Sequence, residues 1–189
     1  LSVMLGLACV SLAKVPEPTV RVRTVLSNFH LQTELQKLGD HHGPRTKIGQ
    51  HDVHGIKKVQ VRRRNQRTSE VVLHIHRENY LKVVIPSEMP QTWPIEALKA
   101  QAIASRSYVE ARRLDRSAAE WDVESTIADQ VFDLRKSRAI KDLPPNLIKA
   151  VEETAGQVLI DDRGRVQQAY FHADCGGQTE RARSEEHTS

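Results

Sequence analysis

Cysteine is all but missing from this sequence. Its 189 residues hold only Cys9 and Cys175, too few for a disulfide framework, so a hydrophobic core has to hold the fold. Aromatic residues are also scarce, at 4%, which leaves that core to Val, Leu, Ile and Ala and favours compact mixed α and β structure over an aromatic-filled sandwich. No apolar run reaches the length of a bilayer span. Residues 1–13 are uncharged, mostly apolar and about as long as a signal-peptide core, with Ser11 and Ala13 as the small residues of a cleavage site. The stretch starts with Leu and lacks a basic leader, so it is read as a signal-peptide remnant of a chain truncated at its N-terminus. Two weaker alternatives are a lipid-anchored Cys9 and a buried strand. Export to the periplasm, cell wall or exterior is expected, with membrane contact only through such a signal or anchor.

Charge is plentiful by contrast, at 28% of residues, yet the formal balance is only +4. Six cations, Lys57, Lys58, Arg62, Arg63, Arg64 and Arg67, crowd into eleven residues. Such a run can attract an anionic polymer, but without interleaved aromatics a solvated strand and turn is its commoner meaning. No nucleic-acid motif is present, and no nucleic-acid partner is expected. Strand-like spacing marks residues 20–26, 59–61, 71–75 and 80–85, the last through alternating Leu81, Val83 and Ile85. Residues 30–55 are polar, rich in His and Gly, and lack sustained periodicity. From Pro94 an alanine-rich segment carries one apolar stripe, Ile95, Leu98, Ala102 and Val109, and predicts a helix to about Leu114, with Thr92 or Trp93 as its cap. Asn146 is placed to cap a second helix, Gly156 to end it, and Asp161 to Gly164 to turn a hairpin. The sum is a single α+β domain of antiparallel strands packed with a long alanine-rich helix and a shorter one. Residues 183–189, RSEEHTS, have no apolar pattern and read like a translated sequencing adapter joined to a truncated reading frame, so no function is assigned to them.

Between the third strand and the long helix, Pro86 and Pro90 bracket Ser87, Glu88 and Met89, and this predicts Glu88 on a stiff loop. Here the chain resembles the stage II sporulation protein D (SpoIID) and amidase-enhancer family. Glu88-Met89-Pro90 is similar to its EMP turn, residues 96–102 to its EALKAQA helix, and Ala104-Ser105-Arg106-Ser107-Tyr108 to its Ala-Arg-Thr-Tyr run. Residues 126–132, TIADQVF, resemble the T-x-x-DQ-V-Y element, and residues 150–180 the final block ending in GG-x-T. Three blocks in family order over about half the chain are far more specific than any one of them. The division expected is a leader at 1–13, a strand and polar loop at 14–55, and a SpoIID-like catalytic domain at 56–182.

The resemblance implies a peptidoglycan lytic transglycosylase in which Glu88 is the catalytic acid. A carboxyl donates a proton only if enough of it stays protonated, and Ile85, Met89 and Trp93 are the apolar neighbours that can favour that form. The helix presents Gln101, Ser105 and Tyr108 near one face with Arg106 close by; these are candidates for sugar contact, or, for Gln101 and Arg106 equally, for satisfying buried carbonyls. Asp129, Gln130, Tyr170, His172 and Thr179 fall on matching motif positions, and the resemblance implies that their blocks converge on the cleft. It also implies glycan strands as substrate and a cell-wall amidase as a possible partner.

No metal or other cofactor is expected. Some members of the family carry a zinc-binding His/Cys cluster between the helix and the DQ element, but residues 110–128 here contain neither His nor Cys. The nine histidines lie elsewhere, including His41, His42, His51, His54, His74 and His76, and scattered surface imidazoles explain them best. A rival enzyme reading is a wall cysteine peptidase at Asp174-Cys175-Gly176-Gly177. It needs a base for the thiol, and His172, three residues earlier on a strand-like segment, would point to the opposite face. The other rival is a non-catalytic amidase enhancer that uses the same cleft for binding alone.

Overall fold

The computed structural model describes residues 11–15, 19–27, 56–132 and 142–171. They form β1 (Ser11–Lys14), β2 (Thr19–Ser27), β3 (Ile56–Arg63), β4 (Thr68–His76), α1 (Arg77–Glu88), α2 (Ile95–Asp115), β5 (Val123–Glu124), α3 (Pro145–Glu153) and β6 (Gln157–Ile160). The architecture is α+β, as composition and patterning predict. One sheet runs β3-β4-β2-β5, antiparallel except for the parallel β2/β5 pair, and β1 pairs antiparallel with β6 in a separate two-stranded ribbon. Among the described residues no helix is long and apolar enough to cross a membrane.

Period-two patterning gives the main sheet two unlike faces. Val20, Val22, Ile56, Val59, Val71, Leu73 and Ile75 are buried against the helices. The other face carries Arg21, Arg23, Lys58, Gln60, Arg62, Glu70 and His74. The described part of the basic run therefore lies on β3, an edge strand, and on the turn after it. Cationic edges discourage edge-to-edge pairing. On that face His74 Nε2 lies 2.9 Å from Gln60 Oε1, and burial, then Lys58 and Arg21, push the imidazole below its usual range.

The clearest departure from expectation is at residues 80–85. The alternation of Leu81, Val83 and Ile85 suggests a strand, but these residues belong to α1, and the expected third strand of the meander is absent from this position. Every residue from Tyr80 to Ile85 is buried, because α1 lies between the sheet on one side and α2 and α3 on the other. A helix enclosed all round has no polar face, so its sequence imitates a buried strand. Even Lys82 is buried along its stem, reaching Glu152 with its ammonium 3.1 Å from a carboxylate oxygen. Pro86 does not stop the helix. It sits in the last turn, where a missing N–H costs a single intrahelical bond.

Other boundaries move less. Pro94, rather than Thr92 or Trp93, occupies the N-cap of α2, without a side-chain cap bond, and Pro144 does the same for α3, so Asn146 lies one residue inside that helix. The hairpin at 161–164 forms, closed by the Ile160–Val166 bridge, but the expected long return strand does not extend past it in the described residues. Ser11 and Ala13, read as cleavage-site residues, stand in β1 opposite Ile160 and Val158. The segment at 30–55 lies outside the described residues, as do Cys9, Cys175 and residues 183–189.

Gly156 ends α3 with φ +74°, as its position predicts, and Gly164 has φ +75° in the hairpin turn. Their surroundings differ. A Cβ at Gly156 would lie 3.0 Å from the carbonyl oxygen of Val15, whereas one at Gly164 meets nothing within 4 Å. Gly164→Ala should therefore cost only the left-handed strain, about 1–2 kcal/mol. Gly156→Ala should cost about 2–4 kcal/mol, because the β1/β6 ribbon must also shift to relieve a backbone contact. Urea midpoints of the two variants test the ranking.

Candidate functional site

Glu88 is the last residue of α1. It is held at a helix end rather than in the free-standing proline-flanked loop expected of it. Met89 leaves the helix in extended conformation, Pro90 begins a turn in which the Trp93 N–H donates to the Pro90 carbonyl at 3.2 Å, and α2 starts two residues later. The apolar neighbours divide. Ile85 is wholly buried, Met89 packs partly buried against the core, and Trp93 is 48% exposed.

The half-buried Glu88 carboxylate meets the segment Asp129-Gln130-Val131-Phe132 through its backbone: the Val131 N–H donates to Glu88 Oε1 at 3.4 Å, a long bond. The three flanking residues are each anchored. Asp129 accepts from Tyr108 Oη at 2.8 Å, Arg112 Nε at 2.9 Å, the Glu124 N–H at 2.8 Å and Arg116 Nη1 at 3.4 Å. Gln130, 1% exposed, accepts from Tyr80 Oη at 2.9 Å and donates to the Ser105 carbonyl at 3.4 Å. Phe132 stacks on the Tyr80 ring, centroids 5.5 Å apart and planes 7° from parallel. Motif blocks distant in sequence are thus joined around one carboxylate.

Gln101 is half-buried and donates to Ser105 Oγ at 3.1 Å; Ser105 itself is buried, its carbonyl serving Gln130. Tyr170, 63% exposed, meets Tyr108 edge-on with centroids 6.0 Å apart. Arg106 stands apart from these. Its side chain is wholly buried, paired with Glu78 at 2.6 Å and donating to the carbonyls of Gln157 at 3.1 Å and Val151 at 3.4 Å. Of the two duties open to it from sequence, this placement matches the satisfaction of buried carbonyls. His172 and Thr179 lie outside the described residues. Sequence reasoning passed over Tyr80, Arg112 and Arg116. The arginines sit four and eight residues after Tyr108, one and two turns along the same side of α2, a spacing that could have linked them to the DQ element.

Burial pushes the Tyr80 hydroxyl well above its usual range, reinforced by the charges of Asp129, then Tyr108, then Glu88. Burial, and next the bond to Asp129, raise Tyr108 as well. An unfolded tyrosine loses its proton at about pH 10, while these two resist. Their neutral forms therefore stabilise the fold fully below that pH, and the contribution is lost as pH rises above it. Tyr108→Phe should flatten the fall in urea midpoint between pH 9 and pH 11, roughly the window set by that pKa.

Among the described residues no group of three or more His, Cys, Asp or Glu side chains is arranged to hold a metal ion. Two open grooves lie elsewhere. One, of about 480 Å³, crosses the polar face of the sheet over Gln60, Val72 and His74, and the other, of about 520 Å³, follows α3 beside Ile148 and Lys149. Neither is lined by Glu88.

An α+β domain whose helix-end carboxylate is gripped by a DQVF segment defines the class of protein to compare. The family model described as Stage II sporulation protein (SpoIID) matches residues 65–160, just over half of the 189-residue chain, and the chain belongs to that family. It is similar to the amidase enhancer of Bacillus subtilis, 39% identical over 100 residues that cover 53% of this chain and 12% of the relative. It is also similar to stage II sporulation protein D of Bacillus subtilis, 32% identical over 124 residues covering 60% of this chain and 36% of the relative. An uncharacterized protein of Brachyspira hyodysenteriae is 35% identical over 116 residues, 61% of this chain and 30% of its own length. The chain thus spans about a third or less of these relatives.

Proposed function

We propose that the chain is the glycan-cleaving domain of a peptidoglycan lytic transglycosylase acting outside the cytoplasm in wall remodelling or sporulation, with Glu88 as its acid and base. The observation that carries this reading is the placement of Glu88, half-buried at the end of α1 with Oε1 facing the Val131 N–H. The carboxyl protonates the oxygen linking N-acetylmuramic acid to N-acetylglucosamine, and the bond from C1 to that oxygen breaks. The resulting carboxylate takes the proton of the muramic 6-hydroxyl as that oxygen bonds to C1, closing a 1,6-anhydro ring. One carboxylate suffices because no water is activated, unlike the paired carboxylates of glycoside hydrolases. No metal or cofactor enters these steps. Gln101, Ser105, Arg106, Tyr108, Asp129, Gln130, Tyr170, His172 and Thr179 remain the proposed surroundings of the substrate. Exposed Tyr170 is the one best placed to touch a sugar, and buried Arg106 the one whose part is structural.

The test is to incubate the chain with peptidoglycan stripped of stem peptides and to look by mass spectrometry for anhydro-disaccharides. A reading of a second class, a non-catalytic enhancer that binds wall glycan or an amidase, is favoured by the similarity to a protein named amidase enhancer. It predicts no anhydro product and a stimulated amidase. The peptidase reading predicts instead that peptidoglycan with its stem peptides in place is cut within those peptides, and that Cys175→Ala, not Glu88→Gln, abolishes the cut.

A further inference from the structure

We infer that Asp129 is a positioning residue for Glu88, acting through the backbone of Val131; this rests on the reading of Glu88 as the proton donor. Asp129 never meets the carboxyl itself. Its side chain is 1% exposed and accepts four hydrogen bonds, one each from Arg112 and Tyr108 of α2, one from Arg116 just past the end of that helix, and one from the main chain at Glu124. The long helix and the β5 strand end are therefore tied to a single buried anion. Two residues on, the chain cannot drift, because Gln130 is locked between Tyr80 and the Ser105 carbonyl and Phe132 is pressed on the Tyr80 ring. Tyr80 belongs to α1, the same helix that ends in Glu88. The segment is thus fixed to both helices at once, and the one polar group it leaves facing Glu88 is the Val131 N–H.

That N–H has a chemical consequence. An amide donor favours the oxygen that carries no proton, the better acceptor of the two, so it disposes Oε1 to accept and the transferable proton to sit on Oε2. It also serves both halves of the cycle, binding the carbonyl oxygen of the acid and then the carboxylate, without needing to move. The bond is long, and contacts of this kind tighten when substrate arrives. Loss of the Asp129 anchor would let the 129–132 segment relax and rotate Glu88 away from a single aim. A misplacement of about 1 Å in a catalytic group costs on the order of a hundredfold in rate.

The experiment pairs a spectroscopic readout with kinetics on the same variants. In amide ¹H–¹⁵N spectra the Val131 resonance should move in Glu88→Gln, which removes the negative acceptor, and move in the same direction in Asp129→Asn. Arg112→Ala should follow Asp129→Asn, and Arg112→Lys should restore most of the wild-type position. Tyr108→Phe removes one of four donors and gives a milder version of the same change if Asp129→Asn proves too unstable to study. Release of anhydro product should fall about ten- to a hundredfold in kcat for Asp129→Asn, with KM changed less than about twofold. A Val131 resonance unmoved by folded Asp129→Asn and Tyr108→Phe overturns the inference, as does a loss confined to KM. A wild-type chain that releases no anhydro product while the Val131 coupling is present overturns the transglycosylase reading instead, leaving the clamp itself established.

Discussion

Glu78→Gln should lower the stability of the fold by about 3–5 kcal/mol, because it leaves a buried guanidinium without its anion. Glu78 lies in the first turn of α1, where a negative charge already suits the helix start. Its carboxylate accepts from Arg106 Nε at 3.0 Å and Arg106 Nη2 at 2.6 Å, and Arg77 Nε approaches it at 3.4 Å. Both arginines are wholly buried. Arg77 leans on Glu110 at 3.0 Å as well, but one of its nitrogens, Nη2, is buried and finds no hydrogen-bond partner among the described residues. Removing Glu78 would orphan Arg106 outright. That arginine joins α2 to the end of α3 and the start of β6 through Val151, Thr154 and Gln157, and its loss of charge balance would loosen three elements together. Arg106→Leu should cost a similar amount for the mirror reason, because the Glu78 carboxylate loses its shortest partner and keeps only the longer approaches of Arg77 Nε and the Gly156 N–H, both at 3.4 Å. The double variant Glu78→Leu/Arg106→Leu should cost less than the sum of the two, by about 1–3 kcal/mol of coupling. Urea unfolding of the three variants decides it; strict additivity would mean the pair is not the energetic unit described.

This network also shows where sequence was legible and where it was not. The sheet strands β2, β3 and β4 were readable because one face is buried and the other wet, so alternation survives in Val20, Val22, Val71, Leu73 and Ile75. The long helix was readable because its apolar stripe faces the core while Glu96, Ala100 and Asp115 are exposed. The helix α1 was not, because total enclosure erases periodicity, and Val83, Val84 and Ile85 are β-branched residues that favour a strand until packing overrides them. At the candidate site, the importance of Glu88 was legible from the motif order, but its support was not. A backbone N–H has no sequence signature, and Val131 offers an amide that any residue except proline would supply. Arg106 was visible as a motif residue, yet only three-dimensional placement could show that its donors turn inward to Val151, Thr154 and Gln157.

Glu88→Gln should reduce release of anhydro-disaccharides by about 10²–10⁴-fold, the range in which a positioned acid or base usually contributes. The amide keeps the volume and can still meet the Val131 N–H through its oxygen, so the fold should persist. What it lacks is a transferable proton and, afterwards, a basic oxygen for the muramic 6-hydroxyl. Sedimentation with insoluble peptidoglycan should therefore show binding within about twofold of wild type, since uniform binding and transition-state stabilisation separate in this way. Glu88→Asp supplies the graded control: the chemistry survives but the carboxyl retreats by about one methylene, and a loss of roughly a hundredfold is expected from misplacement alone. The order wild type, then Asp, then Gln belongs to an acid that must both carry a proton and be aimed. Equal product from all three would remove Glu88 from the chemistry. If the chain is instead an enhancer, no variant forms anhydro ends, and Glu88→Gln leaves stimulation of a wall amidase unchanged because no proton is exchanged at that carboxyl.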